Sequence, residues 1–139
     1  MHLGALDGDT MTDDRASLRG RRALLVEDDL RLATLFHAVL ESQGCIVSGP
    51  AQTVAQALEM ADADPAPEVA VLDLKLGGAL SWPVIERLSD RGVPLVIVSG
   101  YSGIFITEGQ ATPPVLTKPI APDFLVDAII AALAGKIRV

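Results

Sequence analysis

The sequence predicts an α/β domain of five βα units, a parallel sheet with helices on both faces. Three observations predict it. Short apolar runs alternate with stretches whose apolar residues recur at helical spacing. The apolar runs are continuous rather than alternating with polar residues, as expected of strands buried on both faces. The polar residues that interrupt these runs all stand at the carboxyl ends.

Ala23–Val26 is a short apolar run stopped by Glu27, Asp28 and Asp29, and reads as a buried strand. Leu32, Leu35, Phe36, Val39 and Leu40 fall at i, i+3, i+4, i+7 and i+8, one stripe of an amphipathic helix. Gly44 ends that helix, and Asp29 suits its start, where negative charge is favourable. Cys45–Ser48 is a second strand, closed by Gly49-Pro50. Val54, Ala57, Leu58 and Ala61 mark a second helix, followed by the loop "DADPAPE". Val69–Asp73 is the third strand. Pro83 suits the first turn of a third helix, with Ser81 as its cap, Trp82 covering its start, and Val84, Ile85 and Leu88 turned inward. Val93–Ser99 is the fourth strand. Residues 100–114, "GYSGIFITEGQATPP", hold three glycines and two prolines and leave room for a short helix around Ile104–Gln110. Val115–Thr117 is a short fifth strand before Lys118-Pro119, and Pro122–Ala134 is the last helix.

No repeat or linker divides this pattern, so residues 21–139 are expected to form one domain. Residues 1–20, rich in Gly, Asp, Ser and Thr, read as a disordered tail, within which Met11 is a second candidate start. A chain of 139 residues, half of them hydrophobic, can bury a core. Eleven basic against eighteen acidic residues give a net charge of −7, which speaks against a nucleic-acid partner. The longest apolar run, Ala128–Ala134, is far short of the ~20 residues of a membrane span, and no signal peptide is evident. A cytoplasmic location is expected. The single cysteine, Cys45, lies in an apolar stretch and reads as a buried thiol. His37, beside the stripe of the first helix, reads as a surface residue.

In open parallel sheets the ligand site lies at the carboxyl ends of the strands, where strand order reverses. Strand one brings Glu27 and Asp28 there, strand three Asp73, strand four Ser99 and strand five Lys118. Acids crowded in one crevice are tolerable around a divalent cation, and few hard oxygen ligands suit Mg²⁺. Asp28 and Asp73 are the expected direct ligands, with Glu27 acting through water and the backbone carbonyl of Lys75 completing the set. A metal flanked by a lysine and a hydroxyl also fits phosphoryl transfer. Asp73 would be nucleophile as well as ligand, Lys118 would neutralise phosphoryl charge, and Ser99 would hydrogen-bond a phosphoryl oxygen.

"LLVEDD", "VAVLDLKL", "VIVSGYS" and "LTKP", in this order and each at the end of its strand, resemble the receiver domain of bacterial two-component response regulators. The resemblance covers roughly residues 21–136. It implies the doubly wound flavodoxin-like or CheY-like fold with strand order 2-1-3-4-5. It implies phosphorylation of Asp73 by a histidine kinase or phosphotransfer protein, and Mg²⁺ held by Asp28, Asp73 and the Lys75 carbonyl, with Glu27 as acidic partner. It also implies Lys118 as the phosphoryl counter-charge, Ser99 as the switch hydroxyl, and a cis Lys118-Pro119 bond. Such a protein turns over no metabolite; it catalyses only its own phosphorylation and dephosphorylation and signals by protein contact. Val115 stands where the family usually carries an aromatic that swings inward on activation. With "LGG" after Asp73 and "SGY" after strand four, the chain resembles the atypical FATGUY-type receivers, often stand-alone and linked to HWE-type histidine kinases.

The alternative is a pseudo-receiver, never phosphorylated, that works as an interaction module. An aspartyl-phosphate phosphatase of the haloacid-dehalogenase type would need a second acid two residues past Asp73, where this chain has Lys75. A flavodoxin-like FMN protein would want a hydroxyl-rich loop where "EDDLRL" stands. The last helix is apolar on more than one face, which points to a partner or homodimer surface shared by Val126 and Ile130 of that helix with Ile104–Ile106.

Overall fold

The computed structural model describes residues 18–100 and 115–135. Its first strand, β1 (Arg22–Val26), runs into α1 (Leu30–Ser42), then β2 (Ile46–Ala51) and α2 (Val54–Ala61). The third strand, β3 (Val69–Asp73), is followed by a small hairpin, β4 (Lys75–Leu76) and β5 (Ala79–Leu80), and by α3 (Trp82–Asp90). The described chain ends with β6 (Leu95–Ser99), β7 (Val115–Thr117) and α4 (Pro122–Ala134).

Five strands form one parallel sheet in the order β2-β1-β3-β6-β7, which is the 2-1-3-4-5 order of the resemblance once the hairpin is set aside. Every residue of β3 and β6 is buried, because helices cover both faces. Successive side chains of a strand point to opposite faces, so the core comes in two layers. Leu25, Val71 and Val98 pack with Phe36 and Leu40 of α1 and with Leu125 and Ile129 of α4. Leu24, Val26, Leu72 and Ile97 pack with Ala57 of α2 and with Val84 and Leu88 of α3. Burying one such aliphatic side chain is worth about 1.5–3 kcal/mol. The thiol of Cys45 lies in the first layer, where burial raises its pKa. His37 stays at the surface, 3.4 Å from Glu41 one turn along α1.

The edges of several elements depart from the sequence reading. Leu18, inside the stretch expected to be tail, is fully buried, and the amide of Gly20 bonds the Gly44 carbonyl. Gly49-Pro50 does not close β2. The strand runs through it as a bulge: Leu24 pairs with Ser48, but Val26 pairs with Ala51. Proline is tolerated because β2 is an edge strand. Ser81 occupies the N-cap position of α3 without capping it. Its backbone (φ −89°, ψ 19°) is not extended, and the hydroxyl makes no bond to the helix amides. Val126, expected on a partner face of the last helix, is buried in the core; Phe124, 59% exposed, is the large apolar residue this helix leaves in solvent. Tyr101 and Ile104–Ile106 lie outside the described residues. Among the described residues no helix is long and apolar enough to cross a membrane.

Candidate functional site

The bulge of β2 helps to build the site. Past it, the Ala51 carbonyl accepts from the Glu27 amide at 2.9 Å, which fixes the chain where β1 leaves the sheet. From there Glu27, Asp28 and Asp29 diverge. Asp29 caps α1, accepting from the amides of Arg31 (2.9 Å) and Leu32 (3.3 Å). Glu27 turns inward, only 1% exposed, and its Oε2 accepts from the Asp29 amide at 3.0 Å. Asp28 points across the sheet end, where its Oδ2 accepts from the Gly77 amide at 2.7 Å.

Asp73 ends the central strand. Lys118 Nζ, arriving from the end of β7, donates to Asp73 Oδ2 at 2.9 Å and stands 3.0 Å from Glu27 Oε1 as an ion pair, off the direction of a hydrogen bond. The Lys75 amide donates to Asp73 Oδ1 at 3.2 Å. The Lys118 amide donates to the Ser99 carbonyl at 2.7 Å, and the Lys118-Pro119 bond is cis, as the resemblance implies. Ser99 is buried at the tip of β6.

Carboxylate oxygens of Glu27, Asp28 and Asp73 lie within 4.8 Å of one another. They face an open cleft that Lys75, Gly77, Gly78, Gly100 and Lys118 also line. Within the cluster three carboxylates meet the one ammonium of Lys118, and Asp29 and Lys75 on the cleft wall offset each other, so the site has an excess of negative charge. The Glu27 carboxyl is pushed above the ordinary 4.5, chiefly by burial; the Asp29 amide and Lys118 oppose the rise and the charge of Asp73 adds to it. For Lys118 burial alone would lower the pKa, but the hydrogen bond to Asp73 and the ion pair with Glu27 outweigh it and hold the ammonium above its usual 10.5. A set of hard oxygen donors with unbalanced negative charge fits a small divalent cation that keeps part of its water.

The sequence reading thus finds Glu27, Asp28, Asp73 and Lys118 side by side, with Lys75 and Ser99 adjoining. It missed two residues. Gly77 reaches Asp28 through its amide, and Ser81 Oγ donates to the carbonyls of Asp73 (2.8 Å) and Leu74 (3.0 Å). The signal for Gly77 was present: a Gly-Gly pair between two short apolar flanks is a two-residue hairpin turn, and both glycines have positive φ (54° and 93°).

Neither a protein-family model nor a sequence among curated proteins matches the chain. Solved structures do. The response regulator PhyR from Brucella abortus is 25% identical, with a TM-score of 0.76 over 92% of this chain and 54% of its own. The anti-anti-sigma factor PhyR from Bartonella quintana is 22% identical, with a TM-score of 0.76 over 92% of this chain and 53% of its own. A response regulator receiver protein from Sinorhizobium medicae is 24% identical, with a TM-score of 0.75 over 86% of this chain and 98% of its own. The chain thus spans about half the length of the PhyR proteins and nearly the whole of the S. medicae protein. It has the CheY-like fold of a response-regulator receiver domain.

Proposed function

We propose that this chain is a phosphoacceptor response regulator, phosphorylated on Asp73 with Mg²⁺ in the cleft. The observation that carries the reading is the grouping around Asp73: Lys118 Nζ at 2.9 Å, with oxygens of Glu27 and Asp28 within 4.8 Å of an Asp73 oxygen. A buried aspartate held by a lysine would suffice for structure. Two further acids facing the same cleft add repulsion that structure alone does not require.

In the reaction an oxygen of Asp73 attacks the phosphorus of a phosphohistidine on a kinase or phosphotransfer protein. The O–P bond forms as the P–N bond breaks, and the imidazole leaves with the electron pair. Asp28, Asp73 and the Lys75 carbonyl would hold Mg²⁺, with Glu27 beside them; the metal, when bound, supplies charge neutralisation on the phosphoryl oxygens. Lys118 transfers its hydrogen bond from the carboxylate to a phosphoryl oxygen. Ser99, at the tip of the neighbouring strand, is the hydroxyl that turns to the phosphoryl group. Output is by protein contact, the kinase is of the HWE type that the sequence resemblance implies, and the protein works in the cytoplasm.

Intact mass after incubation with acetyl phosphate and Mg²⁺ tests this. The wild type should gain one phosphoryl group, and Asp73→Asn should gain none. The alternative is an interaction module, in which the fold serves as a contact surface and phosphorylation is absent. An unlabelled wild type would decide for that interaction module.

A further inference from the structure

We propose that Ser81 is a positioning residue for the phosphoacceptor, acting through the main chain of Asp73; the inference rests on the reading that Asp73 accepts a phosphoryl group. Among the described residues the buried polar or charged side chains are Glu27, Asp73, Ser81 and Ser99. Ser81 is the one that the chemistry above does not use. A buried hydroxyl must find a hydrogen-bond partner, and a serine at a helix start normally finds it among the first helix amides. Ser81 turns the other way. Its single proton is shared between the carbonyls of Asp73 and Leu74, eight and seven residues back, while its amide donates to Leu74 O at 2.8 Å.

The place of these bonds gives them their effect. The ladder between β3 and β1 ends at Leu72 opposite Val26, so the Asp73 carbonyl lies past the last rung on that side. On the other side β6 still holds the chain: Asp73 pairs with Val98, and the Leu74 amide bonds the Val98 carbonyl at 3.0 Å. Ser81 therefore stands in for the missing strand and clamps the base of the hairpin. The tip of the same hairpin, Gly77, holds Asp28. One short segment thus sets the distance between the two carboxylates: Ser81 fixes the end at Asp73 and Gly77 the end at Asp28. Without the hydroxyl, two buried carbonyls lose a donor, and the chain at Asp73 can tilt to find another. Misplacement by about 1 Å can cost up to about a hundredfold in rate.

The test compares Ser81→Ala with Val93→Ala, a buried apolar truncation at the opposite end of the sheet. Three quantities are measured: the rate of labelling by acetyl phosphate at saturating Mg²⁺, Mg²⁺ affinity by calorimetry, and the melting temperature. Ser81→Ala should label about tenfold more slowly and bind Mg²⁺ more weakly. Val93→Ala should lose stability yet label at the wild-type rate, and Ser81→Thr, which keeps the hydroxyl, should recover the rate. Wild-type labelling and Mg²⁺ affinity in Ser81→Ala would overturn the proposal. So would equal slowing of both alanine variants. If the wild type is never labelled, the functional reading fails by itself, and the Mg²⁺ titration of Ser81→Ala still decides the positioning role. If the alanine variant does not fold, Ser81→Cys, a weak donor of similar size, repeats the comparison with the same two outcomes.

Discussion

Glu27 is a carboxylate held almost wholly out of water, and its cost to the fold depends on pH. Its folded pKa is raised above 4.5, so the folded protein binds this proton more tightly than the unfolded chain does. Stability from this group is therefore present below that value and falls as pH rises through the interval above it. Glu27→Gln removes the titration and keeps an oxygen that can accept from the Asp29 amide. In the presence of a chelator, the melting temperature of Glu27→Gln relative to wild type should climb as pH rises past 4.5 toward neutrality. A constant difference across that range would mean that Lys118 fully compensates the buried charge.

At the scale of elements, the long regular pieces were legible and the joints were not. Periodicity located α1 through Leu32, Leu35, Phe36, Val39 and Leu40, and continuous apolar runs located β3 and β6, because burial on a face leaves a repeating mark in sequence. The acids and Lys118 were legible too, because charge at the end of an apolar strand has few structural uses. Ser81 was misread because a serine before Pro-containing helical sequence looks like a cap whichever way its hydroxyl turns. Gly49-Pro50 was misread because a bulge and a strand end use the same residues. The bulge makes its own prediction. Gly49 has φ +101°, and a Cβ there would come within 2.3 Å of the Leu25 carbonyl oxygen and 2.9 Å of the Ala51 amide. Gly49→Ala should cost about 2–3 kcal/mol, from the backbone conformation and the overlap together. Denaturant unfolding would measure it, and an unchanged midpoint would show that the strand can straighten.

For the whole molecule, the site trades stability against function. Three carboxylates around one ammonium oppose folding in the absence of a cation, and a ligand that binds only the folded state restores stability by mass action. Asp28→Asn relieves part of the repulsion and keeps an oxygen for the Gly77 amide. It should raise the metal-free melting temperature, on the scale of ~1 kcal/mol in stability, and respond to added Mg²⁺ with a smaller rise than the wild type is expected to give. Scanning calorimetry with chelator and with Mg²⁺ reads both. A lower metal-free melting temperature would mean that the carboxylate's bond to Gly77 outweighs the repulsion.

The charged rim also bears on how the central strand finds its alignment. In a sheet wet on one face, a slip by one residue is penalised at every position, because polar side chains would turn inward. That safeguard is absent from β3, whose two faces are equally oily: a slipped Val-Ala-Val-Leu would still put hydrocarbon against hydrocarbon. Acids bracket the run instead. Glu68 precedes it, tied to Arg21 and Arg22, and Asp73 closes it. A shift in either direction would drag one of these carboxylates between the apolar layers, away from its cation, at a cost of several kcal/mol. The same aspartate that faces the cleft thus serves as one of two end-stops that keep the middle of the sheet in frame.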